Sequence, residues 1–391
     1  MARNQEFYRG SRKKRNYAIV PFVILLGLLT LTVVLFYSMQ KYAIISKDGV
    51  EIPMPGAQQE QTMIDSEGHQ VKVFDTVETE LFFDEPDYSR VTATAGRNVK
   101  AFKAIYVEAD ELTRDKLLEY EARLNDGNGL VLEMKPRSGR LMWASNSALA
   151  RAYGIGSSSA IGDSMTNMLQ ELREASAARD RDIYLAAQIS CCIDELIASY
   201  STNYTLKTDY GGSYHTDEGT WLDPYNADVR NYVAELAKEL FDMGFDEVIL
   251  ADLMHPSSLR EDSEEPITFV YSREMSTTPS PITAVCGMAV YVADQLKDRS
   301  GALSVYVDSA PSLVRADSQT GQNAVLFLKI YDRVYYRTDR YVYSYNLADV
   351  EGSVTIGKAQ DRFVPVVINY IPHENSSWVL IDTESENQTQ D

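Results

Sequence analysis

Between residues 221 and 253 the chain reads WLDPYNADVRNYVAELAKELFDMGFDEVILADL, a turn-rich entry followed by an amphipathic stretch, a glycine and an apolar run. Val229, Tyr232, Val233, Leu236 and Leu240 recur at the spacing that places them on one helical face. Asp223 is expected to cap that helix with Pro224 in its first position, and Gly244 to end it. The run EVILADL (247 to 253) is apolar after Glu247 except at Asp252, the pattern of a strand covered on both faces. A helix leading into such a strand is the crossover unit of a parallel sheet, which constrains the chain to an α/β fold.

The rhythm repeats along the sequence. Strands are predicted at AIYVE (104 to 108), LVLEM (130 to 134), DIYLAAQI (182 to 189), EVILADL, ALSVYVD (302 to 308), FVPVVINY (363 to 370) and SWVLID (377 to 382), with one more at either RVYYR (333 to 337) or RYVYSY (340 to 345). Between them lie a helix from Thr113 carrying Leu117, Glu121 and Leu124, and a second capped near Asp163 or Ser164 with Met165, Met168, Leu169 and Leu172 on one face. A third starts at Pro281 with Val285, Met288, Ala289, Val292 and Leu296 inward. Eight strands in about 290 residues suit a (β/α)8 TIM-type barrel. A doubly wound open sheet is the alternative, although no glycine-rich dinucleotide turn accompanies it.

From Tyr17 to Tyr37 the sequence carries no charge, and 21 residues at helical rise match the roughly 30 Å hydrocarbon core of a bilayer. Arg3, Arg9, Arg12, Lys13, Lys14 and Arg15 precede it against Glu6 alone, so the positive-inside bias keeps the N-terminus cytoplasmic and the remainder extracytoplasmic. No small-x-small cleavage site follows, which favours an uncleaved signal anchor. The predicted organisation is a basic cytoplasmic segment (1–16), a transmembrane anchor (17–37), an extracytoplasmic stalk (38–98) and the barrel domain (99–391). Within the stalk, VKVFDTV and ELFFDE are candidate short strands.

The net charge is -20, and removing the basic tail leaves about -25 for the exported part. Such a surface repels phosphate backbones, which excludes nucleic acid as a partner. Cys191, Cys192 and Cys286 are too few to staple the fold and read as buried thiols. His69, His215, His255 and His373 lack metal-ligand spacing, so neither a metal nor an organic cofactor is expected.

In barrels of this type the reactive groups stand at the C-terminal ends of strands. Glu108, Glu133, Asp252, Asp308 and Asp382 fall there, with Gln188 and Asn369 as neutral companions. Paired carboxylates at one mouth are what glycosidic cleavage uses, one ionised and one protonated. Asp252 is singled out because it interrupts an apolar strand, where an unpartnered charge is expensive. His255 lies in the loop just beyond it. Among 25 tyrosines and three tryptophans, Tyr210, Tyr214 and Trp221 cluster in and just after the long loop 201–220, a candidate sugar-stacking wall.

The segment from Trp221 to Pro256 resembles the signature of a glycoside hydrolase-like domain found in membrane-anchored bacterial proteins, distantly similar to alpha-amylase-type TIM barrels. KAIYVEADELTRDKLLEYEARLNDGNGLVLEMKPRSGRL looks like that family's opening. The resemblance implies that Asp252 is the nucleophile or key carboxylate, that Asp223 shapes the loop before the fourth unit, and that Glu133 and Lys135 line the end of the second strand. The chain departs from the pattern at Pro136 and Arg137, where the family has acidic residues, at Leu253-Met254-His255 in place of Tyr-Ile-Arg, and at Tyr306 in place of Asp. The proton donor is then expected from Asp308 or Glu133. The function so implied is hydrolysis of a cell-envelope or environmental polysaccharide. The alternatives are a carbohydrate-binding or scaffold module without turnover, and a barrel used only as a spacer.

Overall fold

The computed structural model describes residues 27, 30, 44–46, 49–51, 62–64, 70–72, 99–124, 127–156, 165–258, 266–272, 280–307, 317–338, 359–369 and 377–382. The chain divides into two units, Met1–Glu80 and Leu81–Asp391. In the first, Ile44–Ser46 pairs antiparallel with Gly49–Glu51, and Thr62–Ile64 with Gln70–Lys72. The latter strand overlaps the predicted VKVFDTV, while ELFFDE lies outside the described residues. So does the predicted anchor at 17–37 apart from Gly27 and Thr30, and among the described residues no helix is long and apolar enough to cross a membrane.

The second unit holds a closed barrel of eight parallel strands: β1 (Lys103–Val107), β2 (Gly129–Lys135), β3 (Tyr184–Ser190), β4 (Glu247–Ala251), β5 (Ala302–Val307), β6 (Arg333–Arg337), β7 (Phe363–Ile368) and β8 (Trp378–Ile381). Each pairs with its sequence neighbours, and β8 returns to β1 through Trp378 opposite Lys103. That closure excludes the open doubly wound sheet. RVYYR supplies the sixth strand; RYVYSY lies outside the described residues.

The crossovers carry α1 (Arg114–Ala122), α2 (Ala148–Tyr153), α3 (Met165–Ala177), α4 (Glu195–Tyr200), α5 (Ala227–Met243), α6 (Pro281–Leu296), α7 (Ala324–Ile330) and α8 (Ala359–Arg362). Thr113 caps α1 and Ser280 caps α6; the proposed caps of α3 lie outside the described residues. The predicted inward stripes of α1, α3, α5 and α6 are buried, and Gly244 ends α5 in the left-handed conformation at φ 103°. The expected start of α5 is corrected. Asn226, not Asp223, caps it through its Oδ1, because Asp223 spends its carboxylate on the Tyr225 and Ser272 amides at 2.8 and 2.5 Å.

Two apolar layers result. Outward strand residues join the helices in the main core, while Phe102, Ala104, Val131, Ala186, Ile249, Tyr335, Val364, Val366 and Val379 fill the barrel interior. At the N-terminal end the interior closes with a buried ion pair between Arg333 and Glu247. Glu247 also accepts from the hydroxyls of Tyr184 at 3.0 Å and Tyr335 at 2.8 Å, and Arg333 Nη2 donates to Lys100 O at 2.6 Å. Partners on every side are what make two charges tolerable there.

Candidate functional site

A cavity of about 660 Å³ opens at the C-terminal end of the barrel and descends between the strands. A second cavity lies at the N-terminal end, where Arg173 pairs with Asp246 at 2.9 Å and Arg299 with Asp242. The C-terminal cavity is where barrels of this type place their reactive groups. Among the described residues no cluster of His, Cys, Asp and Glu has the arrangement to hold a metal ion.

Asp252 stands at the exit of β4, 4% exposed and at φ 52°. The left-handed conformation is sterically unfavourable for a side chain with a Cβ, and such strain gathers at functional positions. Here the backbone is held from both directions, since Cys191 N donates to Ala251 O at 2.9 Å and Cys192 N to Asp252 O at 3.1 Å. The carboxylate is fully engaged. Oδ1 accepts from Arg137 Nε at 3.0 Å and Nη2 at 2.7 Å, and Oδ2 from Ser190 Oγ at 2.6 Å. Arg137 also reaches Glu218 of the long loop, 3.2 Å from its Nη1.

Glu133 faces the same cavity from the end of β2. A bulge between Glu133 and Lys135 shifts the register there, so Glu133 lies opposite Gln188 and Lys135 opposite Ile189. Glu133 Oε2 accepts from Ala109 N at 3.0 Å. Burial raises its pKa above the ordinary carboxylate value. The Ala109 amide and Tyr106 hydroxyl oppose that shift, and the negative charge of Asp252 adds to it. Gln188 Nε2 donates to Tyr106 Oη at 3.1 Å, completing a chain from β3 through β1 to β2. Thus one carboxylate of the mouth is paired with a guanidinium while the other has its proton affinity raised.

The other predicted residues separate. Lys135 borders the cavity, yet its ammonium is 2.9 Å from Asp194 and donates to Ser190 O at 2.7 Å, with both charged side chains at most 1% exposed. Its charge is thus matched within the protein beneath the cavity wall. Asp223 is buried outside the cavity lining, where its carboxylate ties the Tyr225 and Ser272 amides together before α5. Glu108 is exposed at the rim and Trp221 lines the wall, its Nε1 donating to Thr216 at 3.0 Å.

Tyr214 does not reach the cavity, because its ring packs edge-on against Phe269 at 5.0 Å; Tyr210 projects from the loop, 79% exposed. The long loop is itself ordered by short strands, Lys207–Thr208 on Phe269–Val270 and His215–Thr216 on Gly219–Thr220. His255 borders the cavity but is locked in the wall. Its Nδ1 is 2.8 Å from Pro256 O and its Nε2 3.0 Å from the Tyr271 hydroxyl, and burial lowers its pKa to about 4. A neutral imidazole donating from Nδ1 and accepting at Nε2 satisfies both contacts.

Asn369 and Asp382 are outside the cavity lining. Asn369 is exposed at φ 51° after β7, and Asp382 forms an ion pair with Arg123 beyond α1. Asp308 lies outside the described residues. The three cysteines are buried free thiols, and burial raises Cys191 and pushes Cys192 up to about 12. Sequence reasoning overlooked Ser190 and Tyr106 and marked Arg137 only as a departure. The signal available was position alone, since Ser190 and Tyr106 lie at or near strand ends.

Residues 104–337, more than half of the chain, match the family described as "Putative glycosyl hydrolase domain". Among curated proteins, none matches. Solved structures similar to this chain include a hypothetical protein from Ruminiclostridium thermocellum, at 22% identity and TM-score 0.41, covering 51% of this chain and 96% of that one. The PgaB (BpsB) glycoside hydrolase domain from Bordetella bronchiseptica is similar at 12% identity and TM-score 0.49, with 74% and 96% covered. The glycoside hydrolase domain of a PelA variant from Pseudomonas aeruginosa is similar at 12% identity and TM-score 0.39, with 71% and 94% covered.

Proposed function

The chain belongs to the "Putative glycosyl hydrolase domain" family, and on that premise we propose that it is a membrane-anchored, extracytoplasmic glycoside hydrolase acting on a polysaccharide. The observation that carries the reading is the division of roles between two carboxylates on one cavity. Glu133, its proton affinity raised by burial and by Asp252, supplies the proton to the glycosidic oxygen as the carbon–oxygen bond breaks. Asp252, paired with Arg137, opposes the positive charge that develops at the anomeric carbon. Water then delivers hydroxide to that carbon and returns a proton to the carboxylate pair. The uncharged run at 17–37 and the basic residues before it support the anchor and the orientation.

One observation favours a second reading, a glycan-binding module without turnover: both oxygens of Asp252 are occupied by Arg137 and Ser190. The test is hydrolysis of a panel of cell-wall and environmental polysaccharides by the full chain, comparing the native protein with Asp252→Asn and Glu133→Gln. Turnover lost in both variants supports the hydrolase. Binding without turnover in the native protein selects the second reading, and neither turnover nor binding refutes both.

A further inference from the structure

The cavity does not end at the carboxylates. Beneath them its wall changes character, to Val131, Ile249, Val366 and Val379, inward-facing residues of β2, β4, β7 and β8 that are at most 3% exposed and still border the open volume. Val131 lies two residues before Glu133 on β2 and Ile249 three before Asp252 on β4. The apolar floor is therefore roughly 7 to 10 Å below the two carboxylates along their strands. An all-hydroxyl sugar gains nothing from such a floor, since its hydroxyls lose water there without receiving partners.

Between rim and floor the wall carries polar side chains, among them Tyr106, Tyr306 and Gln188. Gln188 borders the cavity opposite Glu133 on one side and Ile249 on the other. Its Nε2 is committed to Tyr106 Oη at 3.1 Å, which fixes the orientation of the amide, and its Oε1 has no partner among the described residues. An acceptor so held, directly above alkyl side chains, matches a ligand group that offers an N–H with a short alkyl tip beyond it. An amide does so. An ester offers no N–H, and a free ammonium offers no alkyl tip and is poorly hosted by the floor.

We infer that the sugar held beneath Glu133 and Asp252 is an N-acylated amino sugar, with its amide N–H on Gln188 Oε1 and its acyl group on the Val131–Ile249–Val366–Val379 floor. The inference rests on the glycan-directed reading above and names the substrate class of the same site. Gln188 and the floor residues determine specificity, and the bond-breaking groups remain Glu133 and Asp252.

The experiment is ligand-observed NMR titration of the full chain with N-acetylglucosamine and N-acetylgalactosamine, with the corresponding free amines and O-acetylated hexoses, and with neutral hexoses. The polysaccharide panel is run in parallel. At least tenfold tighter binding of the N-acetyl sugars is expected. Gln188→Leu should remove that preference in a protein that still unfolds cooperatively, and Val379→Ala should extend it to N-butanoyl sugars. Equal binding of free amines or neutral hexoses, or turnover confined to polymers without acylamino groups, overturns the inference while leaving the glycan-directed site intact. A folded protein that neither binds nor cleaves any member of either panel overturns both.

Discussion

Replacing Lys135 by Met tests the assignment of this residue to the fold. Its ammonium sits 2.9 Å from Asp194 with both charged side chains at most 1% exposed, so the substitution leaves a buried carboxylate without its counter-ion. At that separation two unit charges attract by about 6 kcal/mol at an effective dielectric of about 20. After the desolvation already incurred by the pair, removing one partner of a buried ion pair costs about 3 to 5 kcal/mol. Asp194 cannot turn to solvent. Its Oδ1 receives Ile197 N at 2.8 Å as the cap of α4, and Gly139, at φ 80°, packs so closely that any Cβ there would lie 2.0 Å from that oxygen. With a urea dependence near 3 kcal/mol per molar, the unfolding midpoint of Lys135→Met should fall by about 1 to 2 M. The double variant Lys135→Met, Asp194→Asn keeps the cap and removes the stranded charge, and should recover about 2 kcal/mol. A single variant that loses less than about 1 kcal/mol, or a double variant no more stable than the single, would refute the reasoning.

Glu133→Gln should lower kcat by about 10²- to 10⁴-fold, the usual worth of a positioned acid. In the native protein, activity should decline as pH rises through the raised Glu133 pKa, and this alkaline limb should vanish in the variant. His255, held neutral with a pKa of about 4, accepts a proton only below that value, whereas the unfolded chain accepts one near pH 6.5. Stability attributable to this group is therefore present above pH 6.5 and is lost as pH falls toward 4, by about 3 kcal/mol; calorimetry of the native protein and His255→Gln across that window should show the difference shrinking at low pH. Glu247→Gln strands the Arg333 guanidinium in the barrel floor and should destabilise by about 3 to 5 kcal/mol in chemical denaturation, without altering glycan affinity of the folded fraction.

Several features of this site follow a pattern that local sequence carries. Asp252 was conspicuous because a lone carboxylate broke an apolar run, and Glu133 because it sat near the end of another. Their neighbours carried no comparable signal. Arg137 lies 115 positions from Asp252, and its role depends on a loop between β2 and α2 whose path no periodicity records. Lys135 and Asp382 had the right positions for a mouth but found partners first, Asp194 and Arg123, and such pairing depends on where remote segments pack. Clustering with Tyr210 and Trp221 around the long loop marks Tyr214 as a stacking surface, yet its ring packs edge-on against Phe269.

The one-dimensional pattern determined the apolar runs that become strands and four of the amphipathic helices between them, since burial on both faces of a strand and one face of a helix is imposed residue by residue at fixed spacing; beyond the fifth strand the crossovers are too short to show that pattern. It also placed the acidic candidates at the strand ends. Only tertiary structure decided that β8 closes on β1, that Glu133 and Asp252 share one cavity, and that the cavity floor is apolar. Those outcomes depend on strand pairing and on charge separations inside a low-dielectric interior, both properties of residues far apart in the chain.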